Sequence, residues 1–319
     1  MSFVALIPVS WTMRGLAPPI LKPNPTLLTR RTFISSGFAA SAGLALYSNE
    51  IGRHELEITH RTFPIRNLPA AFDGFRIVQF SDIHLAEYTE DFFLEEVIDR
   101  VNALNADLLL VTGDFISRGP LSMAVTYSAA ARCAARLSRL TCPERYGILG
   151  NHDAIVGGRI IRDHLENNGL PVLVNEFVRV ERGGAHIILS GLDDYSFGDP
   201  NPALGVPEKP DAPVILMVHE PDYVMRLADH RRGPLVDLVL SGHTHGGQVR
   251  IPGFRPLALP PFGKLFPEGH YLIGDMQLYV NRGIGTVGVP FRFNCPPEIT
   301  VLTLKSTSNP NPGAPPSRS

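Results

Sequence analysis

From about Glu55 the chain repeats one pattern: a short apolar run followed at once by a polar cluster built on Asp, Gly or His. Residues 75–80 run into Ser81-Asp82-Ile83-His84, 108–111 into Thr112-Gly113-Asp114, and 146–149 into Gly150-Asn151-His152-Asp153. Residues 214–218 run into His219, and 238–240 into Ser241-Gly242-His243-Thr244-His245. Short continuous apolar runs are expected of strands buried on both faces, since neither face meets water. Between the first two runs, Phe93, Val97, Val101 and Leu104 form one helical stripe, with Leu94 and Ile98 beside it. A second helix is predicted over roughly 124–140. Strand–helix–strand order with crossover helices predicts a largely parallel sheet, and ligands of such sheets gather beyond the carboxyl ends of the strands. All five polar clusters fall at that end, so a single site can collect them. Residues 186–190, 278–280 and 299–304 read as further strands, some of them in a second sheet.

Composition narrows the class. The 319 residues are 44% hydrophobic and only 19% charged, with 29 Gly and 29 Pro, which suits a globular enzyme with many formed loops rather than a coiled coil. A formal net charge of -2 gives no electrostatic case for a nucleic-acid partner. Cys133, Cys142 and Cys295 are too few for a disulfide framework and read as free thiols near the core, a Cys133–Cys142 bridge in an oxidising compartment being the alternative. Residues 1–31 hold no acidic residue and end in Arg30-Arg31, after which eighteen uncharged, mildly apolar residues run from Thr32 to Asn49. This resembles a twin-arginine export signal, with the twin-arginine translocase as partner and the periplasm or cell envelope as destination. No clean cleavage site follows, so retention as a membrane anchor is the second expectation. The chain thus divides into a signal or anchor over 1–50, a catalytic domain over 51–305 and a disordered tail over 306–319.

The ordered combination Asp-x-His, Gly-Asp, Gly-Asn-His-Asp, a single His and Gly-His-x-His resembles the calcineurin-like metallophosphoesterase superfamily over roughly 75–248. The resemblance implies an α/β sandwich of two central mixed sheets flanked by helices, in a single domain. It also implies a hydrolase of phosphoric esters carrying two divalent or trivalent metal ions, for which carboxylate and imidazole donors suit Mn, Fe or Zn. By resemblance, Asp82, His84 and His245 hold one ion, Asn151, His219 and His243 the other, and Asp114 bridges both, so that a metal-activated hydroxide is the nucleophile. His152 stands where a general acid would meet the leaving alkoxide, and Arg118 where the protein-phosphatase branch binds phosphate. That branch places Asp three residues after the bridging Asp to orient the histidine; here the position is Ser117, a departure that speaks against a protein phosphatase. Asp193-Asp194 and Asn281-Arg282-Gly283 are weaker candidates for the border of the site.

Gly242-His-Thr-His-Gly-Gly-Gln248, the apolar and proline-rich stretch 251–266, Asn281-Arg-Gly-Ile-Gly285 and Pro296-Pro-Glu-Ile299 together resemble a branch of exported bacterial YkuE/YaeI-like phosphodiesterases. The stretch 251–266 reads either as a loop packed over the core or as an apolar lip beside the metals that receives a lipid chain or touches a bilayer. The substrate expectation is therefore a phosphodiester or phosphomonoester, an envelope phospholipid or lipid-linked compound among them. A nucleotide or sugar-nucleotide pyrophosphatase using the same metals is the rival enzyme, and a non-catalytic scaffold the rival from another class. A metallo-β-lactamase-type site is disfavoured, because Gly246-Gly247 follows His245 where a His-x-His-x-Asp run would continue.

Overall fold

The computed structural model describes residues 30–307, and the chain divides into two compact units at the Ala42–Gly43 boundary. Helix α1 (Arg30–Leu46) crosses that boundary and has no buried residue. No described helix is long and apolar enough to cross a membrane. Much of the signal or anchor expected over 1–50, and most of the tail expected over 306–319, lies outside the described residues.

The second unit is built on two sheets. The first contains β1 (Glu57–Ile65), β2 (Arg76–Phe80), β3 (Leu108–Val111) and β4 (Arg145–Gly147). The second contains β5 (Glu176–Arg182), β6 (Ala185–Gly191), β7 (Val214–Met217), β8 (Leu238–Ser241), β9 (Gly269–Ile273) and β10 (Met276–Val280). The last strand, β11 (Glu298–Ser306), returns to the first sheet, whose order is β1-β11-β2-β3-β4; the second runs β5-β6-β7-β8-β10-β9. Strands β2, β3 and β4 are parallel, as are β6, β7, β8 and β10, while β11 on β2, β5 on β6 and β9 on β10 are antiparallel. The five motif-bearing strands therefore do not share one parallel sheet. Three lie in the first and two in the second, and both sheets are mixed.

Alternation along these strands feeds separate cores. Ile77, Leu108 and Leu110 meet Ile215, Met217, Leu238 and Leu240 between the sheets. Val78, Leu109 and Val111 face the helices α2 (Asp91–Ala103), α3 (Met123–Leu137) and α4 (Asn151–Asn167). On the far side, Leu216 and Val239 pack on Tyr223, Val224 and Leu227. Both faces of β3, β7 and β8 are dry, which is why their sequences are continuously apolar rather than alternating; each such side chain contributes about 1.5–3 kcal/mol on burial. The stripe Phe93, Leu94, Val97, Ile98, Val101 is the buried face of α2. The three cysteines are free and buried, so no Cys133–Cys142 bridge forms.

Candidate metal centre

The loops after β2, β3 and β4 and those after β7 and β8 converge where the carboxyl ends of the two sheets meet. These turns bend sharply. Of twelve non-glycine residues with positive φ among those described, five are Asp82, Asp114, His84, His243 and His245. Left-handed backbone costs such residues of order 1–3 kcal/mol each and persists only where surrounding structure fixes it. Two close approaches fix it here. A Cβ on Gly242 would lie 2.0 Å from Ser81 Oγ and 2.4 Å from Asp82 Oδ2, and one on Gly150 would lie 2.3 Å from Asp114 Oδ1. Only glycine lets the loops touch at these points, Gly242 across the two sheets and Gly150 between neighbouring strands of the first.

Two clusters result, Asp82–His84–His245 and Asp114–His219–His243, the donor atoms of each lying within 4.8 Å of one another. A third grouping, His84–Asp114–His152, shares members with both. His84 Nε2 and His245 Nε2 face each other at 3.0 Å. Asp82 Oδ1 lies 3.3 Å from His245 Nε2. Asp114 Oδ2 stands between the clusters, 3.1 Å from His219 Nε2 and 3.5 Å from His84 Nε2. His243 Nδ1 meets Asn151 Oδ1 at 2.9 Å.

The chemistry of these donors is that of a cation site. In three histidines, one ring nitrogen donates to a backbone carbonyl: His219 Nδ1 to Thr112 at 2.7 Å, His243 Nε2 to Pro261 at 2.7 Å and His245 Nδ1 to Gly285 at 3.2 Å. The proton is thereby fixed on the outer nitrogen, and the lone pair of the other points inward among carboxylates, as in metal-ligating histidines. His219 Nε2 is fully buried, and its near neighbour Asp114 Oδ2 at 3.1 Å lies outside hydrogen-bond geometry, an arrangement that a cation between the two would satisfy. Burial alone would raise Asp82 and Asp114, but His245 beside the first and His219 beside the second outweigh it, and both carboxyls stay below their ordinary range. Burial lowers His219, yet Asp114 overrides it and lifts the imidazole well above its usual value. A field that holds a proton there would equally hold a metal ion, which releases that proton on binding. The two clusters form a dinuclear divalent-metal site.

The neighbours of the cluster revise several sequence expectations. Ser117, where a carboxylate was the family pattern, lies 2.9 Å from His84 Nδ1 and so braces a cluster histidine rather than His152. His152 is held instead by the backbone N–H of Arg118, donated to Nδ1 at 3.0 Å, while its own N–H donates to Asp114 Oδ1 at 2.8 Å. Burial pushes the His152 imidazole down to about 4, so it is neutral at ordinary pH with its proton on Nε2. The Arg118 side chain is exposed and does not line the central cavity. Asp153 belongs to neither donor cluster: its carboxylate accepts N–H bonds from Phe115, Ile116 and Gly150 at 3.0–3.3 Å, tying the start of α4 to the Asp114 loop. Burial raises that carboxyl to about 7.

The weaker candidates sit behind the site. Asp194 is buried against Glu220, which follows His219 and accepts from Tyr195 N, Ser196 N and Ser196 Oγ. Asp193 caps its own loop through the N–H groups of Asp194 and Asp199. Asn281 bonds Thr300 Oγ1 at 2.9 Å and Gly283 N at 2.8 Å, and Arg282 pairs with Glu57 and Glu298.

Sequence reasoning missed Arg292. It is fully buried, and its guanidinium donates to the carbonyls of Arg282, Gly283, Gly285 and Cys295 at 2.6–3.2 Å. Gly285 O is also the acceptor for His245, so one carbonyl joins the arginine to a cluster histidine. Nothing in the local pattern Pro290-Phe291-Arg292-Phe293 distinguishes it from an ordinary loop arginine.

Above the clusters opens a cavity of about 480 Å³. His84, Asp114, Asn151, His152, His243 and His245 form its floor, 257–260 and Val249 one wall, and 287–289 the other.

The profile of the calcineurin-like phosphoesterase family matches residues 75–247. The chain is 37% identical over 292 residues to the uncharacterized metallophosphoesterase YkuE of Bacillus subtilis, covering 88% of this chain and 99% of that one. It is 28% identical over 287 residues to the phosphodiesterase YaeI of Escherichia coli, covering 87% of this chain and 100% of that one. A transmembrane protein with a metallophosphoesterase domain from Danio rerio is 30% identical over 280 residues, 83% of this chain and 61% of that protein. With a dinuclear centre at the junction of two mixed sheets and the family profile running from β2 through the Gly-His-x-His turn, this chain is a hydrolase of phosphoric esters and belongs to the calcineurin-like phosphoesterase family.

Proposed function

We propose that the protein is a phosphodiesterase of the YkuE/YaeI-like branch, acting in the cell envelope on a lipid or lipid-linked phosphoester. The observation that carries the diester reading is the cavity: a floor of metal donors between two apolar walls suits a phosphorus centre bearing organic groups on both sides. Identity over the whole length of YaeI, a phosphodiesterase by name, supports it. No Lys or Arg lines the cavity, which disfavours the more highly charged pyrophosphate of a sugar nucleotide.

Two divalent ions, when bound, polarise a phosphoryl oxygen and acidify a water for in-line attack. Asp82, His84 and His245 would hold one, Asn151, His219 and His243 the other, with Asp114 shared, a division supported by the two clusters and the intermediate place of Asp114 Oδ2. His152, neutral with its proton on Nε2, is suited to donate a hydrogen bond to the departing alkoxide oxygen and stabilise its charge, whereas full proton transfer would require the imidazolium. Arg118, free at the surface, would swing its guanidinium onto a phosphate oxygen once substrate is bound. The N-terminal Arg30-Arg31 pair supports export by the twin-arginine translocase, with 1–50 as signal or anchor, 51–305 as the catalytic domain and 306–319 as a tail.

The test uses purified holoprotein with bis-p-nitrophenyl phosphate and p-nitrophenyl phosphate. The diester is expected to turn over faster, and Asp114→Asn to lower kcat by about a thousandfold or more, since a shared ligand supports several kcal/mol of charge stabilisation. Retained turnover in Asp114→Asn with metals still bound would refute the site assignment. Replacing Arg30-Arg31 by Lys-Lys is expected to block export; unaltered export would refute the twin-arginine route.

A further inference from the structure

We infer that the segment 251–265 is a bilayer-docking lip, which seats the cavity mouth on an anionic lipid surface so that a headgroup phosphoester reaches the metals without leaving the membrane. This rests on the lipid phosphodiesterase reading and extends it from a substrate class to a mode of access.

Three observations carry it. The segment exposes large apolar side chains: Phe254 is 73% exposed, Leu257 64% and Leu265 60%, with Ile251 and Phe262 beside them and Val289 exposed on the opposite wall. Contiguous exposed apolar side chains on a soluble domain mark an interaction surface. The second observation is charge. From Val249 to Pro267 there is no acidic residue, and Arg255 and Lys264, both exposed, make no ion pair among the described residues. Apolar anchors flanked by unpaired cations are the chemistry that partitions to an anionic bilayer interface, where each cation adds attraction to acidic headgroups.

The third observation is continuity with the reaction centre. Leu257 is at once an exposed lip residue and a wall of the metal cavity, together with Ala258, Leu259 and Pro260. A protein seated permanently on this lip would cover the entrance its substrate must use. A bilayer covers the same side chains and supplies the substrate through them. The lip is also fastened to the site rather than hung beside it. Pro261 O accepts from His243, Pro267 O accepts from Thr244 Oγ1 at 2.6 Å, and Asp222 takes the N–H groups of Lys264 and Leu265. Docking therefore sets the height of the metals above the interface.

The test places an environment-sensitive fluorophore on the full-length holoprotein at Phe254→Cys, the three native cysteines being buried, with Phe177→Cys on β5 as the control site. Phosphatidylcholine vesicles with and without phosphatidylglycerol are added, and bis-p-nitrophenyl phosphate turnover is read in the same samples. The label at 254 is expected to shift to the blue with phosphatidylglycerol vesicles, less so at high salt, while the label at 177 does not move. In Arg255→Glu/Lys264→Glu the preference for phosphatidylglycerol is expected to vanish with turnover of the soluble diester unchanged. A label at 254 that stays water-like on every vesicle, in protein that still turns over the diester, overturns the docking and leaves the phosphodiesterase reading intact. A blue shift without vesicles that grows with protein concentration also overturns it, since it marks a second copy of the chain on the lip. A vesicle-dependent shift in protein that hydrolyses neither ester supports docking and refutes the activity.

Discussion

The metal cradle and the lip lie side by side and are built by opposite rules. In the cradle nearly every polar atom has one fixed partner: His219, His243 and His245 each hand one nitrogen to a backbone carbonyl, and Ser117 stands against the outer nitrogen of His84. Its backbone is held in left-handed conformations by loops that touch at glycine. The lip has no regular secondary structure, turns its large side chains outward and is fastened mainly at its far end, 261–267. The metal donors thus sit at the ends of strands, and one wall of the cavity beside them sits on a connection. The same division explains why a reaction class transfers between relatives more readily than a substrate does.

The comparison predicts that substitutions in the cradle propagate and those in the lip do not. After Asp114→Asn itself, the largest effect is expected from Gly242→Ala, which touches no substrate. Its new methyl would overlap Ser81 and Asp82, displacing a metal carboxylate, so turnover should fall by about a hundredfold or more, with metal content reduced. Metal analysis beside bis-p-nitrophenyl phosphate kinetics checks this, and full metal with full rate would break the comparison. Next is Arg292→Met, which keeps the volume but leaves the buried carbonyls of Arg282 and Cys295 without a donor and takes one of two donors from those of Gly283 and Gly285. A loss of about 3 kcal/mol or more is expected in chemical denaturation, each such group costing roughly 1–3 kcal/mol. The smallest is Ser117→Ala, which removes only the brace on His84. Metal affinity is expected to fall about tenfold to a hundredfold, as for other groups that orient a ligand, with kcat recovering at saturating metal. A kcat loss that excess metal does not restore would instead tie Ser117 to His152.

How much of this was legible in the sequence follows from which interactions are local. The expectation of Asp82, His84, Asp114, Asn151, His219, His243 and His245 as ligands rests on a family order of polar clusters at the ends of apolar runs, which are local events, and all but Asn151 fall in the two clusters. Which sheet each strand joins was not legible, because strands buried on both faces read alike whether they belong to β3 or β7. Pairing β1 with β11 in register from Glu57 against Glu298 joins opposite ends of the domain, and no short-range pattern encodes that. Helix α4 escaped because Gly157-Gly158 interrupts its apolar face, Gly157 standing at φ 124° between Val156 and Ile161. The roles of Ser117 and Arg292 depend on atoms brought close from 33 and 47 residues away, and a motif of a few residues holds neither.

The distribution of donors between the two sheets has a consequence for the folded chain as a whole. Asp82, His84, Asp114 and Asn151 extend from one sheet, and His219, His243 and His245 from the other. Under the proposed division each ion would take donors from both. The centre then acts as a cross-link between halves of the sandwich, in a protein whose three thiols form no disulfide. Loading metal would suppress the opening motions that part the sheets at their carboxyl ends, and amide exchange there would slow in both sheets together. The reaction centre would thereby double as the clasp of the fold, and stripping it with a chelator would loosen the architecture as well as stop the chemistry.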